Sequence, residues 1–133
     1  MTNTELIEKA ATVINEKKVG EYTVANVGCA LISGKGNLYL GVCIDTSSSM
    51  GFCAEPNAIG SMITNGEYVI KKIVAVWKDR QGAVYVIPPC GKCREFMKQI
   101  NQRNLETEVI LDTEKVVKLK DLLPYHDWWQ KIE

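Results

Sequence analysis

Cys53-Ala54-Glu55-Pro56-Asn57-Ala58-Ile59-Gly60-Ser61 opens one helix-like segment, and Pro89-Cys90-Gly91-Lys92-Cys93 opens a second, its first cysteine 37 residues after Cys53. Pro56 falls within the first turn of its segment, where a missing N–H costs little. Ala58, Ile59, Met62 and Ile63 then form an apolar stripe, and Asn65-Gly66 supplies a stop. Cys90 and Cys93 are three residues apart, so in a helical first turn their sulfurs share a face. Three cysteines bind zinc as thiolates and leave the fourth tetrahedral position open. A carboxylate that is not a ligand, here Glu55, can move protons beside that position. This is the layout of a hydrolytic site rather than of a closed structural one.

Outward from these motifs, helical and strand-like segments alternate. Thr2-x-x-Glu5 resembles a capping box, and Leu6, Ala10, Val13 and Ile14 predict an amphipathic helix from about residue 4 to 17. Val27 to Ile32 and Leu38 to Ile44 read as strands joined by the turn-rich Ser33-Gly34-Lys35-Gly36-Asn37. Val69 to Trp77 and Ala83 to Ile87 read as two more, separated by Asp79-Arg80-Gln81-Gly82. Pro88-Pro89 blocks continuation into the second motif, whose helix carries Phe96, Met97 and Ile100 on its apolar face. Glu108 to Leu111 gives a last strand, and Leu119 to Leu123 a short helix before Pro124. The alternation predicts a layered α/β domain, one unit over residues 1–133 without repeat or linker.

Lysine plus arginine number 16 and aspartate plus glutamate 16, so the formal net charge is zero. That balance argues against a polyanion as main partner, and there is no basic stripe for nucleic acid. A small substrate of modest charge fits better. No apolar stretch is long enough to span a bilayer, and the N-terminus lacks the basic start and apolar run of a signal peptide. Five cysteines, an odd count, fit a disulfide framework poorly. Reduced thiols in the cytoplasm are the expectation. Cys29 and Cys43 lie in strand-like runs and read as buried structural thiols.

Charge bookkeeping sharpens the metal reading. Three thiolates against Zn²⁺ leave a formal −1, and an ionised Glu55 makes −2. Helix N-termini and a cation would offset this excess, and Arg94, immediately after Cys93, is the obvious cation. Other readings stay open at this point: a dithiol redox pair, half of a zinc ribbon, or a structural zinc completed by Cys43 or by the sole histidine, His126.

The pattern Cys-Ala-Glu followed by Pro-Cys-x-x-Cys resembles the signature of the cytidine deaminase superfamily, in its all-cysteine version. Tyr22-Thr23-Val24-Ala25, Val27-Gly28-Cys29-Ala30-Leu31, Gly41-Val42-Cys43-Ile44-Asp45 and Asp121-Leu122-Leu123-Pro124 extend the similarity over nearly the whole chain. The resemblance implies a three-layer α/β/α fold with a five-stranded mixed sheet, assembled as a homotetramer. It implies one Zn²⁺ per subunit held by Cys53, Cys90 and Cys93, with Glu55 as proton shuttle. It also implies hydrolysis at C4 of a cytosine nucleoside, a small-molecule partner, to the uracil form and ammonia. Cys43, Asp45 and Ala54 fall where the family contacts its substrate. The departures are Pro56-Asn57-Ala58 in place of Arg-Thr-Ala, Cys43-Ile44-Asp45 in place of Asn-x-Glu, and Ala25 in place of an aromatic. They lean towards the blasticidin S deaminase branch, with a cytosine-nucleoside antibiotic as substrate, over a housekeeping cytidine or deoxycytidine deaminase. Tyr125-His126-Asp127-Trp128-Trp129 would pack an interface or cap a pocket in a neighbouring subunit.

Overall fold

The computed structural model describes residues 1–133. The capping box forms: the Thr2 hydroxyl accepts from Glu5 N–H, and the Glu5 carboxylate accepts from Thr2 N–H at 2.7 Å. It starts α1 (Asn3–Thr12), which ends earlier than the apolar spacing predicts. The reason is tertiary. Asn15 N–H bonds to Ala25 O at 2.9 Å, which draws the chain out of the helix, and β1 (Lys17–Val19) then pairs with the start of β2 (Tyr22–Ser33). Gly20, at φ 60°, makes the two-residue turn between them possible.

The sheet is mixed and has seven strands rather than five. The remaining strands are β3 (Leu38–Ile44), β4 (Ile70–Lys78), β5 (Val84–Ile87), β6 (Glu108–Ile110) and β7 (Val116–Lys118). The two extra strands, β1 and β7, are three residues long and have no run of three apolar residues to mark them. Long β2 lies between antiparallel β3 and β4. The far edge of β4 is divided, with β6 parallel at Lys72–Ile73 and β5 antiparallel at Ala75–Lys78.

Alternation along the central strands sorts the core into two layers. Cys29 and Leu31 of β2 and Ile73 of β4 face α2 (Ala54–Thr64) and α3 (Gly91–Ile100), meeting Ala58, Ile59, Met62 and Met97. Ala30, Val74 and Val76 face the other way, onto Leu6, Ile7 and Ala10 of α1. The three-layer α/β/α expectation therefore holds, and so does the expectation that Cys29 and Cys43 are buried. Phe96 departs from its expected place: it is 36% exposed, because the buried face of α3 runs through Cys93 and Met97. Gly41 sets how closely α2 approaches, since a Cβ there would lie 2.3 Å from Ala58 N. No helix is long and apolar enough to cross a membrane.

Candidate metal centre and active site

Two chain reversals deliver the cysteines to one point. The loop after β3 is closed by the reciprocal bridge between Ile44 and Phe52, with N–H···O distances of 3.0 and 2.9 Å, so the chain returns to the strand end one residue before Cys53. Gly51 allows this return, because a Cβ there would sit 2.1 Å from Ile44 O. On the other side, β5 runs into Pro88-Pro89 and ends at Cys90. Cys53 and Cys90 become N-caps of α2 and α3 with nearly identical backbones, φ −67° and ψ 168° or 167°. Placed at the starts of the two helices, the Cys53 and Cys90 sulfurs face each other.

The Sγ atoms of Cys53 and Cys90 are 3.6 Å apart, and those of Cys90 and Cys93 3.3 Å. All three ligand atoms lie within 4.8 Å of one another. The two measured separations are far beyond a disulfide bond and lie a little below the ~3.8 Å expected between thiolates on one tetrahedral zinc with Zn–S bonds of ~2.3 Å. Neither Cys43 nor His126 joins the group. His126 lies apart, its Nδ1 buried without a partner and its Nε2 3.9 Å from Asp127. The donor set thus fits a zinc ion with one open position, and the closed structural alternatives lose their fourth ligand.

Titration behaviour follows from burial and crowding. Burial pushes the Cys93 thiol far up, and the Glu55 charge adds to it. Burial also raises Cys53, with Cys90 adding to the effect. Burial acts the same way on Cys90, but hydrogen bonds from the Cys93 backbone and from the Cys93 and Cys53 thiols outweigh it and leave Cys90 low. Glu55 is 4% exposed, and burial holds its carboxyl above the ordinary range, with its own backbone N–H opposing. Cys53 and Cys93, crowded beside a carboxylate, resist ionisation unless a cation joins them. A divalent cation reverses that logic and makes thiolates the stable form.

Glu55, Cys53 and Cys90 open on a cavity of about 180 Å³ that is also lined by Asn26, Val27, Cys43, Asp45, Ala54, Ile87 and Pro88. A neighbouring hollow of about 270 Å³ shares Asp45 and Cys53 and reaches Cys93, Phe52 and Lys92. Larger hollows, of about 420 and 600 Å³, lie around Arg103 and contain no thiol. Size is therefore a poorer guide than chemistry here. Arg94 spends its hydrogen bonds on backbone carbonyls, Nε to Pro89 O at 2.7 Å and an Nη to Leu122 O at 3.4 Å, which fix the loop before Cys90.

A family described as the cytidine and deoxycytidylate deaminase zinc-binding region matches residues 1–108. The chain belongs to this family. It is 34% identical to blasticidin-S deaminase of Bacillus cereus over 98 residues, 70% of this chain and 69% of that protein. It is 35% identical to a probable cytidine deaminase of Dictyostelium discoideum over 78 residues, 56% of this chain and half of that protein's length. The crystal structure of cytidine deaminase from Burkholderia pseudomallei superposes with a TM-score of 0.73 at 27% identity, covering 93% of this chain and 98% of that one. Members of the family are zinc-dependent hydrolases, and the thiol cluster lies within the matched residues.

The sequence singled out Cys53, Glu55, Cys90, Cys43, Asp45 and Ala54, and all line one cavity. It missed Asn26, Val27, Ile87 and Pro88. Pro88 had a signal, since the residues leading into a ligand cysteine must border the metal. Asn26 had only a faint one, a polar residue interrupting an apolar strand. What brings it to the cavity is the irregular register of β2 between Val24 and Gly28, with Ala25 at φ 63°.

Proposed function

We propose that this chain hydrolytically deaminates the cytosine ring of a nucleoside, with Cys53, Cys90 and Cys93 holding zinc and Glu55 carrying the proton. The observation that supports this is the meeting of the thiols and one buried carboxylate at a single cavity. Zinc, when bound, supplies Lewis acidity to the water in its open position. Glu55 accepts a proton from the water that attacks C4 and passes it to the ring nitrogen N3; it then takes the proton of the new C4 hydroxyl and gives it to the amino group, which leaves C4 as ammonia. Its burial suits this work, because a carboxylate with few competing partners is a better base than a solvated one. Val27, Ile87 and Pro88 give the ring apolar walls that exclude bulk water. Ala54 and Asp45 complete the substrate wall, and Arg94 offsets negative charge through space.

Two substrates fit this reading. A blasticidin S-like antibiotic is supported by Pro56-Asn57-Ala58 after Glu55 and by the similarity to the Bacillus cereus protein. Cytidine or deoxycytidine is supported by the Asp45 carboxylate in the cavity and by the Dictyostelium relative. The zinc-loaded protein should be given each compound and the loss of cytosine absorbance followed. Turnover of blasticidin S with little of cytidine supports the first, and the reverse supports the second. No turnover of either, with zinc bound, would return the chain to a non-catalytic zinc protein. The stacked Trp77 and Tyr85, with centroids 5.4 Å apart and both part-exposed, and the exposed Tyr125, Trp128 and Trp129 support subunit packing in a homotetramer, to be checked by light scattering. Reduced zinc-binding thiols accord with a cytoplasmic setting.

A further inference from the structure

The wall of the cavity away from the thiols carries a group of three side chains whose chemistry is asymmetric. The buried Cys43 Sγ lies 2.8 Å from Asn26 Oδ1 and 3.9 Å from Asp45 Oδ2. Burial pushes the Cys43 thiol up, so it is protonated and available as an S–H donor. Backbone N–H groups of Val27, Asn26 and Ala25 face the same sulfur and hold it from the strand side. Cys43 therefore has its partners inside the protein. Asn26 does not: its Oδ1 accepts from the thiol, while its Nδ2 makes no hydrogen bond within the chain. The carboxamide is fixed at one end and offers two N–H donors at the other.

We propose that Asn26 is a substrate-recognition residue, oriented by Cys43 so that its Nδ2 and the Asp45 carboxylate together bind a hydroxyl of the nucleoside's sugar. The inference rests on the nucleoside reading above and changes the part played by Cys43, from a contact to a positioning residue. A hydroxyl accepts from an amide N–H and donates to a carboxylate at the same time. A sugar carboxylate would meet the like charge of Asp45. The pair thus selects a neutral hydroxylated sugar. The left-handed Ala25 is the backbone feature that turns Asn26 to this position.

Asn26→Asp separates recognition from packing, because it keeps an oxygen for the Cys43 thiol and exchanges the donors for an acceptor. Calorimetric titration of the zinc-loaded protein with uridine and with 2′,3′-dideoxyuridine reads binding without turnover. Expected is a loss of about tenfold or more in uridine affinity, one hydrogen bond's worth, with dideoxyuridine unchanged. Should that variant fold poorly, Asn26→Ala with the same pair of ligands gives the same contrast. Cys43→Ala should reproduce it in weaker form, by freeing the carboxamide to rotate. Equal weakening of both ligands, or undiminished uridine binding, overturns the proposal. Uridine binding with the Asn26 contrast but no deamination of any cytosine nucleoside would overturn only the catalytic reading. Deamination without the contrast would overturn only this one.

Discussion

Glu55, in the first turn of α2, and Glu67, just beyond its end, are about equally buried at 4% and 6% exposed and behave in opposite ways. Glu67 accepts from Ser33 Oγ at 2.6 Å, from Asn37 Nδ2 at 2.8 Å and from the Tyr39 hydroxyl. Those bonds, led by Ser33, lower its carboxyl to about 2. The network pins the β2–β3 turn to the chain leaving α2. Glu55 has no such side-chain partners, and burial drives its carboxyl the other way. A buried carboxylate surrounded by donors is a fastener. One left without them is held ready for a proton, and the thiols beside it indicate the chemistry it serves.

The contrast breaks most visibly under Glu55→Gln. Turnover should fall by about 10²–10⁴-fold, the usual worth of a positioned proton carrier, while zinc content by metal analysis stays the same. The melting midpoint should not drop, because the change removes a buried charge that had no side-chain partner. A residual rate near that of the parent would end the shuttle role.

Gly41→Ala presses on the helix that joins the two carboxylates. The new Cβ would need Ala58 N, 2.3 Å away, to move, so overpacking should cost about 1–3 kcal/mol in a denaturant titration. Activity should fall as well, since α2 carries Cys53 and Glu55 at its start. Glu67→Gln should show the complementary pattern, a lower melting midpoint with kcat unchanged under conditions where the variant is folded.

The smallest effect is one of pH. Glu67 has a folded value of about 2 against an ordinary 4.5, so its contribution is fully present above 4.5 and is lost as pH falls towards 2. Thermal melts across that window should show the parent losing more stability than Glu67→Gln. Parallel curves would mean that the Ser33, Asn37 and Tyr39 bonds do not discriminate the charged carboxylate.

Local chemistry made much of this legible. Thr2 and Glu5 formed the cap their spacing predicts, and Asn65-Gly66 stopped α2. Helix α1 misled because Val13 and Ile14 continue the apolar pattern yet belong to the exit, near the Cβ position that Gly28 leaves empty. Strands β1 and β7 hid because neither offers an apolar run: β1 is Lys-Lys-Val, exposed throughout, and β7 is Val-Val-Lys. Cys53, Glu55, Cys90 and Cys93 were readable because helix N-termini and i,i+3 spacing fix their geometry within a few residues. Glu67 and Asn26 were not, because their partners lie 28–34 and 17 residues away in sequence.

The sequence by itself determined the layered α/β fold, the thiol set and the carboxylate beside it, since periodicity, capping and motif spacing act over short range. The tertiary structure decided which buried carboxylate is satisfied, where α1 lets go, and that Asn26 faces the cavity. Those outcomes depend on hydrogen bonds between distant segments and on one left-handed residue at Ala25, which no local pattern encodes.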